Sequence, residues 1–327
     1  MRYGRASRHE GERQMIQSSG PRPTGRRIRA GLRDTLLSYA FLAPALVLLA
    51  VFTFYPLGYG AYLGFTKYTG AQFAQGLGPQ FIGLENFKAL IADPLFWTGL
   101  KNSLKYLLIV PILQFASLAV AVLVNRNLPG MAFFRGAYYV PVVTSISLAA
   151  VMWEWVYNKE GTLNWILGAL HLLPQGGAFG WLNNEHTALY AILLVTFWRG
   201  FGYYMVLYIA GLQSIPEELE EAAVLDGANR WQRFWGITVP MMRPTILLCT
   251  LLSTIAAIRA LEEVLVLTNG GPLNSTYTAL MYVYSKAFQG FNFDYGLASA
   301  AGLVVAAVAL ALSLLNFRFF RSDVEES

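Results

Sequence analysis

Cysteine is almost absent: Cys249 is the single one in 327 residues. One thiol can build neither a disulfide framework nor a clustered-thiol metal site. Histidine is nearly as scarce, and His9, His171 and His186 fall in no H-E-x-x-H spacing. No G-x-x-x-x-G-K-[ST] phosphate loop occurs, so the chain has no such means of holding ATP. No metal and no cofactor is therefore expected. Charge is thin as well: Asp, Glu, Lys and Arg make up 13% of the residues, against about 25% in soluble domains. That deficit excludes an ordinary water-soluble fold.

What fills the gap is apolar, at 55% of positions. A bilayer core of about 30 Å needs about 20 apolar residues in a helix, and six runs reach that length: 36–55, 104–124, 137–156, 188–212, 245–267 and 297–317. They are continuous and rich in Leu, Ala and Val, whereas a membrane barrel would alternate over segments of about 10 residues. The expected fold class is therefore all-α, a polytopic membrane protein with six transmembrane helices. Pro44, Pro111 and Pro141 lie inside spans and should kink them.

Domain organisation follows. Residues 1–35 form an Arg-rich tail, 36–321 the six-span region and 322–327 a short C-terminal tail. The tail holds Arg2, Arg5, Arg8, Arg13, Arg22, Arg26, Arg27, Arg29 and Arg33 against only Glu10, Glu12 and Asp34, and supplies most of the net +5. Basic residues flanking a first span hold that end in the cytoplasm. A nucleic-acid partner would need a basic folded surface instead, and none is expected. The Arg26-Arg27 pair raises an export signal, but the apolar stretch after it is too long and lacks a small-x-small cleavage site. The first span is expected to be retained. Arg126 and Arg135 mark the loop after span two as cytoplasmic too, so both termini face the cytoplasm. By the same count 157–187 and 268–296 lie outside, where 277–288 reads as a short interfacial helix.

Between spans four and five, residues 213–244 break the apolar pattern. Ser214 with Glu217 three residues on reads as a helix cap, Pro216 suits an early helical position, and Glu217, Glu218, Glu220 and Glu221 favour the positive helix end. Leu219, Ala222 and Ala223 share a face shallow enough for another protein to approach. Asp226-Gly227 then bends the chain, because glycine turns without a Cβ clash. A second short helix carries Trp231, Phe234 and Trp235, and Pro240 should end it. The outcome is a bent, acidic, partly apolar knob on the cytoplasmic side.

The order Glu221-Ala222-Ala223, three residues, Gly227, nine residues, Ile237, one residue, Val239-Pro240 resembles the EAA loop of ABC importer permeases. Val239 stands where leucine is more usual. The segments Phe81-Ile-Gly-Leu-Glu-Asn-Phe87, Asn102-Ser103 and Thr268-Asn-Gly-Gly-Pro272 are similar to the carbohydrate-uptake branch, the sugar-glycerol-phosphate and maltose-type permeases. The resemblance implies an ABC type I importer permease architecture in a bacterial or archaeal inner membrane. It implies a coupling helix, with Glu221, Ala222, Ala223, Asp226, Gly227, Ile237 and Pro240 docking into a separate ATPase. It also implies partners: a second permease subunit in a heterodimer, two ATPase subunits and an extracytoplasmic solute-binding protein. On this reading the chain performs no bond chemistry.

Polar residues at membrane depth are the candidates for a solute pathway. A lone arginine at mid-span costs about 2.5–3.5 kcal/mol on insertion scales, so Arg199 should face a wet cavity or a partner. Arg259, Glu262 and Glu263 are spaced to share one helix face, lining the pathway or pairing with one another at a subunit interface. Glu154 poses the same choice. Trp198, Tyr203, Tyr204 and Tyr208 are of the type that stacks on sugar rings, and also of the type that populates membrane interfaces. Two other functions stay open: an ion-coupled secondary transporter, whose mark would be broken helices in repeated halves, and a non-conducting membrane scaffold. No repeated halves are evident.

Overall fold

The computed structural model describes residues 24–125, 130–173, 179–290 and 293–321, with the side chains of 24–36 and 319–321 outside that description. Most of the Arg-rich tail, Arg126, and the C-terminal 322–327 also lie outside the described residues. Apart from one antiparallel pair of two-residue strands, β1 (Thr66–Lys67) and β2 (Gln80–Phe81), the described elements are helices.

The chain divides into two compact units, Met1–Tyr59 and Gly60–Ser327. The first contains α1 (Thr24–Leu49), with Pro44 inside it, and a wider π turn over Ala50–Phe54. A proline ring clashes with the carbonyl four residues before it, so this wider turn, in which the Tyr55 amide reaches back to the Ala50 carbonyl, makes room for Pro56 rather than for Pro44. The span continues into α2 (Tyr55–Leu63). Its apolar stretch runs Leu37–Leu63, longer than the 36–55 read from composition.

The second unit contains the rest: α3 (Gly70–Ala74), α4 (Glu85–Ala92), α5 (Pro94–Tyr106), α6 (Ile109–Val124), α7 (Met131–Val143), α8 (Ile146–Tyr157), α9 (Thr162–Ala169) and α10 (Ala188–Leu212). Then come α11 (Glu217–Leu225), α12 (Arg230–Arg233), α13 (Val239–Met241), α14 (Arg243–Ile258), α15 (Glu262–Leu267), α16 (Ala279–Phe288) and α17 (Tyr295–Arg321). Span two is α5 with α6, interrupted at Leu107-Leu108 just before Pro111; span four is α10; span five is α14 with α15; span six is α17.

Span three departs most from its expected form. Instead of one rod over 137–156, the chain runs Met131–Val143 and then Ile146–Ala169, bent by 99° at Thr144-Ser145. The cause is local. Thr144 and Ser145 are extended, and the Thr144 hydroxyl donates to the Val140 carbonyl at 2.9 Å, which takes an acceptor from the helical ladder. Alongside, α7 comes so close to α10 that a Cβ on Gly202 would lie 1.9 Å from the Tyr138 carbonyl oxygen. Only glycine permits that crossing.

The interfacial helix is displaced inward. Helix α16 forms as expected, but Ala279, Met281, Tyr282 and Ala287 are buried, and it packs with Leu90, Phe96, Leu100, Ile258 and Ala301 in one apolar cluster. The polar motif before span two explains why: Asn102 Nδ2 donates to the carbonyls of Asn274 and Tyr277, and Ser103 Oγ accepts the Ala279 amide at 3.0 Å. Asn86, from the other motif segment, donates to the carbonyls of Gly64 and Thr66 and ties α4 to the turn and strand β1, all within the second unit.

Candidate functional site

The knob after span four is set by backbone chemistry. Helix α11 opens on three acidic residues, Glu217, Glu218 and Glu220, and has Pro216 at its N-cap. Ser214 does not cap it, contrary to the sequence expectation; its hydroxyl donates to Gly211 at 2.7 Å and so helps close α10. At the other end Asp226 is the C-cap, and Gly227 turns left-handed at φ +81°. The Gly227 amide reaches the Val224 carbonyl at 3.1 Å and the Ala228 amide the Ala223 carbonyl at 2.9 Å, a doubled closure that needs a left-handed residue between. No atom lies within 4 Å of where a Cβ on Gly227 would stand, so the demand for glycine there is conformational rather than steric.

Asn229 and Gln232 exchange side-chain and backbone hydrogen bonds, at 2.7 and 2.9 Å, to start α12. Arg233 pairs with Glu220 at 3.4 Å and closes the bend. Pro240 does not end the second helix. A π turn over Phe234–Thr238, in which the Val239 amide reaches back to the Phe234 carbonyl, makes room for the proline ring and carries the helix into α13. Glu221, Ala222, Asp226 and Gly227 are exposed, whereas Ala223, Ile237 and Pro240 are half-buried. Leu225 at 88% and Trp231 at 72% are the most exposed apolar side chains of the knob, with Trp235 beside them.

The second site is a cavity of about 640 Å³ between α6, α10 and the α14–α15 break. Of the pathway candidates it draws together Arg199, Tyr203, Arg259, Glu262 and Glu263, but not Glu154. They do not share one helix face, however. Helix α14 ends at Ile258, and α15 starts again at Glu262. Arg259 makes no ion pair among the described residues; instead Arg199 Nη1 reaches across from α10 to Glu263 Oε1 at 3.3 Å. Continuous-helix spacing had suggested a local pair, and the break redirects it between spans four and five. The break itself is held open by protein: Thr278 Oγ1 donates to the freed Ala260 carbonyl at 2.8 Å.

Of the aromatic candidates, Tyr203 and Tyr204 line this cavity, but Tyr208 and Trp198 do not. Tyr208 is fully buried, and its hydroxyl donates to Gln114 Oε1 at 2.6 Å. Gln114 Nε2 in turn donates to Ser253 Oγ at 2.8 Å and to the Cys249 carbonyl at 3.2 Å, tying α6, α10 and α14 together. Sequence reasoning passed over Gln114. A lone amide inside an apolar run was the available signal, since an amide in hydrocarbon must find partners.

The chain resembles known proteins over most of its length. Residues 100–322 match the family model described as binding-protein-dependent transport system inner membrane component. A probable ABC transporter permease protein, YurN of Bacillus subtilis, is 34% identical over 300 residues, covering 90% of this chain and 99% of that protein. The lactose transport system permease protein LacF of Rhizobium radiobacter is 33% identical over 283 residues, 85% of this chain and 92% of its own length. Among solved structures, a chain of a bacterial ABC transporter involved in the import of the acidic polysaccharide alginate shares the fold, with a TM-score of 0.74 at 23% identity over 90% of this chain and 99% of that one. A helical fold with long apolar spans and matches of this extent lead to one conclusion: the chain belongs to the family of inner-membrane components of binding-protein-dependent transport systems, and is a multi-pass permease subunit of an ABC importer.

Proposed function

We propose that this permease conducts a sugar, oligosaccharide or polyol-phosphate, and that the knob at 217–238 is where a separate ATPase grips it. The observation that carries the reading is the knob itself. It is a bend locked by Gly227 and the Glu220–Arg233 pair that still leaves Leu225 and Trp231 uncovered. Large apolar side chains held rigidly in the open mark an interaction surface. Glu221, Ala222, Ala223, Asp226 and Gly227 form its outer edge, with Ile237 and Pro240 setting its angle to span five.

The carbohydrate class is supported by the relative named for lactose transport. The assembly proposed is a heterodimer with a second permease, two ATPase subunits and an external solute-binding protein, in a bacterial or archaeal inner membrane with both termini cytoplasmic. In that setting ATP closes the ATPase pair, the knobs move with it, and the spans change the side to which the cavity opens. A ligand or nucleotide shifts such an equilibrium only through its differential affinity for the two states. Arg199, Tyr203, Arg259, Glu262 and Glu263 are the proposed solute-facing residues. Bond breaking is left to the ATPase.

The test is uptake by the complete importer in proteoliposomes. Transport that needs both ATP and the binding protein is the expected result. Transport that survives ATP depletion and collapses with an ion gradient would favour a secondary transporter. Glu221→Lys is expected to weaken retention of the ATPase on the purified permease, and unchanged co-purification would reject the electrostatic part of the grip.

A further inference from the structure

A second hollow, of about 630 Å³, lies away from the membrane cavity, between the end of α8 with the segment after it and the end of α15. Its lining includes Glu154, Asn158, Lys159, Trp181, Asn183 and Asn269. We propose that it is a second binding site, for the neutral hydroxyl-bearing face of an oligosaccharide, placed where solute would meet the permease before reaching the spans. The proposal rests on the carbohydrate reading above and on the proposed topology with both termini cytoplasmic, which puts these loops outside.

Its walls are built in advance of any ligand. Asn164, buried, donates to the carbonyls of Asn158, Lys159 and Phe179 at 3.2, 3.0 and 2.8 Å, and accepts the Trp181 indole N–H at 2.9 Å. Thr187 donates to the Trp181 carbonyl at 2.9 Å. Across the hollow, Thr276 donates to the Gly271 carbonyl at 2.7 Å and Gln289 to Asn269 Oδ1 at 3.2 Å. A site whose loops are fixed beforehand loses less on binding.

The groups left over point to the ligand. The Glu154 carboxylate, the Lys159 ammonium and the Asn183 amide have no hydrogen-bond or ion-pair partner among the described residues, although Glu154 and Lys159 line the same hollow with opposite charge. An acceptor and a donor that share a cavity without meeting suit a bridging group that does both, and a hydroxyl donates and accepts at one oxygen. Their charges cancel, which disfavours a phosphate or a uronate. Trp181 has already given its one N–H to Asn164, so what it offers the hollow is ring carbon, the partner for the C–H face of a sugar. The volume falls within the roughly 300–1,000 Å³ usual for small-molecule sites.

Saturation-transfer NMR with the complete importer in nanodiscs, binding protein omitted, tests this with maltotriose as probe and glycerol 3-phosphate as the anionic comparison. Transfer to maltotriose and none to glycerol 3-phosphate is expected. Lys159→Ala and Asn183→Ala, which break no hydrogen bond in the structure, should each weaken the maltotriose response roughly tenfold. Trp181→Phe should keep most of it where Trp181→Ala does not, and Arg259→Ala in the membrane cavity should leave this component in place. No transfer to maltotriose in the unaltered importer, equal transfer to both probes, or full transfer in the Lys159 and Asn183 variants would overturn the proposal. With the binding protein added back in a separate pull-down, variants that lose it while keeping the sugar signal would also overturn the proposal, since the hollow would then be a protein dock. The importer reading is judged separately by the ATP and binding-protein dependence of uptake, so either claim can fail while the other stands.

Discussion

The knob and the break in span five are both interruptions of helix, yet they are finished in opposite ways. At the break, the Ala260 carbonyl is taken by Thr278 and Arg199 Nη1 is met by Glu263, while Arg199 Nε has no hydrogen-bond partner among the described residues. At the knob the backbone is satisfied by Gly227 and the Asn229–Gln232 exchange, while Leu225 and Trp231 are left in the open. In lipid an unmet polar group is expensive, so the protein must supply every partner itself. In water an uncovered apolar side chain can await a partner from another chain. The difference teaches where this subunit closes its own backbone from a neighbouring segment and where it leaves apolar side chains uncovered.

Four changes would break or sharpen that contrast. The largest effect on transport is expected at the knob: Gly227→Trp forces a left-handed backbone onto a residue with a Cβ, at about 1–2 kcal/mol, and places bulk on the proposed docking edge. Uptake should fall at least about tenfold while membrane insertion is unchanged, as read by transport assay and by yield in the membrane fraction.

Next comes the membrane ion pair. Arg199→Met strands Glu263, and removing one partner of a buried pair costs about 3–5 kcal/mol, an upper bound here because both side chains are partly exposed. Thermal unfolding of the detergent-solubilised protein should drop clearly for Arg199→Met and recover in Arg199→Met with Glu263→Met. No recovery would mean the pair is not coupled.

Gln114→Leu is expected to be milder. It leaves the Tyr208 hydroxyl without its acceptor, a loss of about 1–3 kcal/mol by the cost of an unsatisfied buried group. Coupling to Tyr208→Phe is the check: the double change should cost less than the sum of the two.

The smallest effect belongs to Asp93 at the head of α5. Burial acts to raise its carboxyl, but the Tyr282 hydroxyl, the Leu95 amide and the Lys286 ammonium together hold it below its ordinary value of 3.8. A depressed carboxylate stabilises the fold above the unfolded pKa and loses that contribution as pH falls through the folded value. The acid loss should therefore lie below about pH 4 and be under about 1 kcal/mol given the partial exposure. Asp93→Asn should flatten the stability profile in that range and nowhere else.

Local features were legible from the sequence, and assembled ones were not. The long apolar helices, the glycine bend and the acidic opening of α11 each depend on residues close in the chain, so periodicity and turn chemistry suffice. The Asn229-x-x-Gln232 cap was equally local and simply went unread. Span three misled because Thr144 and Ser145 look harmless in an apolar run, and only their hydroxyl chemistry and extended backbone bend it. The partner of Arg199 lies 64 positions away, and that of Gln114 lies 94 away at Tyr208. Such pairs are set by helix packing, which a single sequence does not specify. Arg199, Tyr203, Arg259, Glu262 and Glu263 line one cavity, but through the break between α14 and α15 rather than along one continuous helix face.

The central claim, that the knob is gripped by a nucleotide-driven partner, is met most directly by cross-linking. Leu225→Cys in a Cys249→Ser background should cross-link to the ATPase subunit in the assembled importer, with a yield that changes between ATP-bound and nucleotide-free states. Cross-linking that is absent in both states, together with modification of that cysteine by an impermeant thiol reagent from the outer face of intact cells, would contradict the account.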